Sequence, residues 1–234
     1  MKIVIQPGHV NTTTGATGAP GERDFNLDVA NQVSSELRKR GFEIKQSDAN
    51  ADKDSQITGQ DWDLFLAIHY DADVYNDSGG FVDFPEPSTD FATKESQRIA
   101  KAIESEYFFT TGIKNMPKRS NANTRYYYIW KALSKNTPCV IIECGVGWRV
   151  PKDSDVLNSD KRTTLVVPGI VKGICKAFNI PYDITPPQPP VDPCAEVKKQ
   201  LEVTKADLAN TKELLNQTLD KLGKILAWHK NFPQ

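Results

Sequence analysis

This sequence lacks the features that would place it in several large classes. No stretch approaches the about 20 consecutive apolar residues that a membrane-spanning helix needs, and charged residues, 25% of the chain, are scattered throughout. The amino terminus, MKIVIQPGHV, carries one Lys and a short apolar run that breaks at Pro7-Gly8, which is no export signal. The expectation is therefore a chain made and held in the cytoplasm, with no membrane insertion. Lys plus Arg number 29 against 30 Asp plus Glu, a net charge of -1, and no basic stripe breaks the balance, so a dedicated nucleic-acid binder is excluded. Four cysteines, Cys139, Cys144, Cys175 and Cys194, have no C-x-x-C spacing. Without an export signal they read as buried free thiols, with Cys194 set apart because it lies outside the main domain.

What is present is an ordinary globular composition with one sharp boundary. ITPPQPPVDP, residues 184 to 193, places five prolines in ten residues, an extended and semi-rigid spacer. The division expected is a main domain over 1–180, a Pro-rich linker over 181–193 and a helical tail over 194–234. In the main domain, strand-like runs occur at 2–6, 42–47, 63–69, 79–84 and 137–145. Between them, helical periodicity covers 24–40, closed by Gly41, then 89–109 and roughly 161–178 with Pro168 limiting its start. DLFLAIH and TPCVIIECG are near-continuous apolar runs, as expected of strands buried on both faces. This alternation predicts an α/β fold with a mostly parallel sheet flanked by helices.

In such sheets functional groups collect at the carboxyl ends of the strands. The chain has three histidines, and two of them, His9 and His69, fall at or just past such ends. Glu143 ends a third buried strand, and Glu22 heads the first helix from a Gly-rich loop, TGAPGERDF. Two imidazoles and a carboxylate are one ligand set of catalytic zinc, with a fourth position left for water. A carboxylate that is not a ligand can take the proton of that water, and Glu143 suits this role. A histidine at a strand end is more often only a satisfied polar group, so spacing alone leaves the metal open.

Taken in order, IVIQPGHV, GAPGERDFNLDVANQVSSELRKRGFEI, LFLAIHYDAD and CVIIECGVG resemble the type 3 zinc-dependent N-acetylmuramoyl-L-alanine amidases of bacterial autolysins and phage endolysins. The resemblance covers about residues 1 to 180. It implies a twisted sheet of about six strands, Zn2+ held by His9, Glu22 and His69, and Glu143 as general base. The implied reaction cuts the amide between N-acetylmuramic acid and the L-alanine of the stem peptide, with peptidoglycan as the substrate. His69-Tyr70-Asp71-Ala72 replaces the family's His-Ala-Asn-Ala, NADKDSQITGQ is a short connection, and Gly147-Trp148-Arg149 departs after the catalytic strand. These departures bear on substrate preference more than on the reaction. An aromatic segment, NANTRYYYIW at 121–130, either lines a groove or packs under a loop. With no export signal, a phage endolysin released to the wall at lysis is the leading expectation. A zinc peptidase acting on stem-peptide bonds and a non-catalytic wall-binding module are the alternatives.

In the tail, Leu201, Leu208, Leu215 and Leu222 recur every seven residues, with Val197, Thr204, Thr211, Thr218 and Ile225 in the complementary slot. This predicts a coiled-coil-like helix and a homo-oligomer, because one amphipathic helix cannot bury its own stripe. A solitary helix docked on the enzyme and one helix of a wall-binding module remain alternatives, and Trp228, His229 and Phe232 at its tip are candidate wall or partner contacts.

Overall fold

Ile3, Val4 and Ile5 are all fully buried, so the strand they form, β1 (Lys2–Pro7), is covered on both faces, as a strand inside a parallel sheet must be. A computed structural model of the chain describes residues 1–11, 20–71, 78–85, 93–117, 133–148, 150–183 and 195–230. They fall into two compact units, Met1–Asp183 and Ile184–Gln234.

In the first unit, β1 is followed by α1 (Glu22–Lys39), β2 (Glu43–Gln46), β3 (Leu64–Asp71), β4 (Phe81–Asp83), α2 (Thr93–Thr111) and β5 (Cys139–Val146). After β5 come α3 (Pro151–Leu157) and α4 (Val167–Ala177). The sheet runs β2-β1-β3-β5-β4, with β4 antiparallel to β5 and every other pair parallel. All five expected strand runs are strands, so five of the roughly six strands lie among the described residues. The helix α3 was not expected from periodicity, because it is only seven residues long and starts on Pro151. The last predicted helix is split. A π-helical turn, Arg162–Val166, leads into α4, and Pro168 sits in the first turn of α4.

The first helix shows how sequence fixes local structure here. Glu22 and Asp24 lie in the first turn and Arg38 and Lys39 in the last, matching the helix dipole at both ends. Gly41, at φ 83, closes the helix in a Schellman turn: Gly41 N donates to Arg38 O and Phe42 N to Leu37 O. Phe25, Val29, Val33 and Leu37 form the buried stripe, at the helical spacing of three to four residues.

Residues of β3 alternate between two cores. Leu64, Leu66, Ile68 and Tyr70 join α1, α2 and α4 in the larger cluster, while Phe65 and Ala67 join Val4, Ile57, Leu133, Cys139 and Ile141 in the smaller. By this period-two alternation, His69 and Glu143 share the face of the smaller cluster, at the carboxyl ends of their strands. Cys139, Cys144 and Cys175 are buried free thiols, while Cys194 lies outside the described residues.

The second unit contains one helix, α5 (Ala195–Lys230), 36 residues long. Leu201, Leu208, Leu215, Leu222 and Ile225 are each at least half exposed. Among the described residues no helix is long and apolar enough to cross a membrane. The aromatic segment 121–130, the linker 184–193 and Phe232 lie outside the described residues.

Candidate metal centre

The carboxyl end of β1 turns sharply into the site. His9, two residues past Pro7, takes a left-handed backbone at φ 62, unusual for a residue with a side chain and typical of strain held at a site. Gly8 allows the approach that follows. A Cβ at Gly8 would lie 2.1 Å from His69 Cε1 and 2.4 Å from both ring nitrogens, so the imidazole rests on bare backbone.

Three of the predicted residues converge. His9 Nε2 and His69 Nδ1 each lie 3.2 Å from the same oxygen, Glu22 Oε1, and the two imidazoles meet edge-on with centroids 4.8 Å apart. Glu22 and His69 are buried, while His9 is half-buried. Glu143, the fourth, is half-buried, and its Cα is in register with that of His69 on the adjoining strand and with Phe81 on β4.

The electrostatics suit ligands. Burial raises the Glu22 pKa, but hydrogen bonds from His69 and His9, with their charges, outweigh it and bring the group down to about 2. Burial lowers the His69 pKa more than the Glu22 carboxylate lifts it. A His69 pKa below its ordinary value favours the neutral ring at neutral pH. A neutral imidazole and an ionised carboxylate are the protonation states a metal requires.

The spacing passes the same test. Ligands bound at zinc's usual distances around a tetrahedral ion sit about 3.3 Å from one another, close to the two 3.2 Å separations at Glu22. Among the described residues, this is the group of side chains that could hold a metal ion, with its ligand atoms all within 4.8 Å of one another.

Several supporting residues were not singled out by sequence. Asn26, one helical turn after Glu22 and fully buried, donates from Nδ2 to Gly8 O at 3.1 Å and to Glu22 Oε1 at 3.4 Å. It ties the His9 turn to the Glu22 carboxylate, and only its i, i+4 spacing from Glu22 could have signalled it. Tyr70 donates from its hydroxyl to Pro20 O at 2.8 Å and packs on Phe25, anchoring the chain just before α1. Burial, helped by the Glu22 charge, raises the Tyr70 pKa to about 12, so it stays a donor.

Asp153 is the least expected. This fully buried carboxylate in α3 accepts from Ser78 Oγ, from Gly79 N at 2.6 Å and from Val146 N at 3.1 Å. It therefore clamps the end of β5, three residues past Glu143, to the segment entering β4. Nothing in the sequence marked it, since its partners are 7, 74 and 75 residues away and two of them are backbone groups.

Residues 3–176 match the family model described as N-acetylmuramoyl-L-alanine amidase. The first unit also resembles solved structures. One is an N-acetylmuramoyl-L-alanine amidase from Clostridium difficile 630, at 19% identity and TM-score 0.58, covering 76% of this chain and 96% of that one. Another is the catalytic domain of the amidase CwlV from Bacillus (Paenibacillus) polymyxa var. colistinus, at 18% identity and TM-score 0.58, covering 77% and 99%. A third is the catalytic domain of the endolysin CD27L, which targets Clostridia difficile, at 22% identity and TM-score 0.57, covering 75% and 97%. No curated protein matches the chain.

Proposed function

Because this chain belongs to the N-acetylmuramoyl-L-alanine amidase family, we propose that it cuts its amide with one zinc ion held by His9, Glu22 and His69 and with Glu143 as the base. The substrate is peptidoglycan, and the bond is the amide between N-acetylmuramic acid and L-alanine. The observation that carries the zinc reading is the meeting of two imidazole nitrogens on a single buried carboxylate oxygen, each at 3.2 Å.

When bound, zinc lowers the pKa of a water toward 7 and polarises the scissile carbonyl. The chain's own residues do the rest. His69 and Glu22, both buried, hold their ligand atoms without reorganisation, Gly8 leaves room for the ring, and Asn26 fixes the carboxylate from behind. Glu143, beside His69 in the sheet, takes the proton of the attacking water and hands it to the leaving nitrogen. That transfer expels L-alanine with a free amino group and leaves the lactyl carboxylate on the sugar.

Purified walls treated with the protein should lose turbidity and release new L-alanine amino termini, and a chelator should stop both. New amino termini from other residues would assign a stem-peptide peptidase instead, and no release would assign a wall binder. Glu143→Ala should retain zinc while losing about 10²- to 10⁴-fold in turnover, and His69→Ala should lose the metal. A fully active Glu143→Ala protein would remove Glu143 from the role of base.

The biological setting proposed is that of a phage endolysin, kept in the host cytoplasm until lysis gives it access to the wall. The likeness to an endolysin catalytic domain supports this. Protein made inside bacteria should leave them intact until the membrane is permeabilised and then lyse them; lysis that needs no permeabilisation would contradict it. Main domain, linker and tail take the bounds 1–180, 181–193 and 194–234, and the tail self-associates through its exposed stripe. Deleting 186–234 should convert an oligomer to a monomer in sedimentation, and a monomeric full chain would overturn self-association.

A further inference from the structure

The apolar stripe of α5 carries more than a tendency to pair. Assigning Leu201, Leu208, Leu215 and Leu222 to heptad position a puts Val197, Thr204, Thr211, Thr218 and Ile225 at position d. Two-stranded parallel coiled coils favour Ile or Val at a with Leu at d; Leu at a with Ile at d, the combination of Leu222 and Ile225 in the last heptad, shifts the preference to three or four strands.

Burying threonine would normally be a cost. Here Thr204, Thr211 and Thr218 each donate their hydroxyl at 2.8 Å to the carbonyl four residues back, at Gln200, Asp207 and Leu214. The polar hydrogens are satisfied within the helix, so the d layer can enter a seam without orphaned donors.

The flanking positions agree on number and direction. Position e reads Lys198, Lys205, Lys212, Leu219, Leu226, and position g reads Gln200, Asp207, Leu214, Lys221, Trp228. In the last two heptads the exposed apolar face is widened by Leu214, Leu219, Leu226 and Trp228, more than a two-helix seam covers. In a parallel bundle, g meets the e position five residues later on the neighbour. That pairs Gln200 with Lys205, Asp207 with Lys212, Leu214 with Leu219 and Lys221 with Leu226 of the next copy, with no like charges opposed. An antiparallel overlap would also give one ion pair and one leucine contact, Asp207 on Lys221 and Leu214 on itself, but it sets Lys205 on Leu219 and Lys212 against its own copy, a like-charge contact that the parallel bundle lacks.

We propose that α5 assembles with further copies of this chain into a parallel, in-register bundle of three or four helices, held mainly by its last two heptads. The inference rests on the self-association reading above and adds its number and direction. Such a bundle brings every chain in at the same end and multiplies attachment to a polymeric substrate.

Light scattering of the full chain should give three to four times 26.1 kDa. Leu219→Lys with Leu226→Lys should return the mass to that of one chain, while Val203→Lys, outside the seam, should leave the assembly unchanged. Direction is read by Leu201→Cys in a Cys194→Ser background. Parallel packing sets identical a positions side by side, so mild oxidation should yield covalent dimers. In the antiparallel overlap, the two copies of residue 201 would be separated by about 33 Å and no cross-link would form. A monomer overturns both this inference and self-association. A stable dimer, or an oligomer that fails to cross-link, overturns this inference alone.

Discussion

The carboxyl end of the sheet and the tail helix solve opposite problems. At the sheet edge, two imidazoles, a carboxylate and an amide find their partners within the chain, and the glutamate and one imidazole are almost out of solvent. Along α5, ten large apolar side chains from Leu201 to Trp228 are each at least half exposed. The first region is a finished object, in which geometry comes from packing around the site. In the second the described residues leave an apolar stripe exposed, and the proposed self-association is what would cover it. A buried site should respond to small changes of shape; an exposed stripe should respond to changes in what it can bury.

The sharpest way to break the first half of the comparison is one methyl group. Gly8→Ala would place a Cβ 2.1 Å from the His69 ring, inside any allowed contact, so the ring must move. We expect zinc affinity to fall by about 10- to 100-fold, the loss typical when the support of a ligand is disturbed, with turnover falling alongside. Competition against a chromogenic chelator measures this directly. Affinity unchanged by Gly8→Ala would show that the His69 position is not what the site depends on.

A second substitution separates framework from chemistry. Asp153 touches none of the proposed ligands, yet it accepts two buried backbone N–H groups at the end of β5 and before β4. Asp153→Ala would leave both without an acceptor, at a cost on the order of 3 kcal/mol. For a unit of this size that is a fall in Tm of roughly 6–12 °C. Zinc affinity should change far less than in Gly8→Ala. If Asp153→Ala lost metal as readily while melting normally, the clamp would belong to the site rather than to the frame.

These two residues also mark where the sequence was legible and where it was not. Helix α1 could be read because its signals are local: acidic residues at the start, Gly41 at the end, apolar spacing between. His9, His69 and Glu143 could be singled out because strand ends in a parallel sheet converge and histidine is rare enough here to be noticed, and Glu22 because it heads the first helix from a Gly-rich loop. Asp153 could not, because its role depends on backbone groups brought close only by the fold, and α3 is too short for periodicity to show. Gly8 was visible as part of a turn, but its need for no side chain arises from a ring contributed 61 residues later, and only the tertiary structure supplies that fact.

The smallest expected effect tests the tail half. Leu219 and Leu226 are more than half exposed in the single chain, and exposed substitutions usually move stability by no more than about 0.5 kcal/mol. The double lysine variant should therefore leave the unfolding of the amidase unit, and its turnover of a soluble muramoyl-peptide, within about twofold of the parent. On intact walls it should lose activity, because a chain without its neighbours gives up the raised effective concentration that linked binding provides. The informative quantity is the ratio of wall to soluble activity, since a damaged active site would lower both together. A ratio that stays constant while the assembly falls apart would mean that the copies gather for some purpose other than holding the enzyme on its polymer.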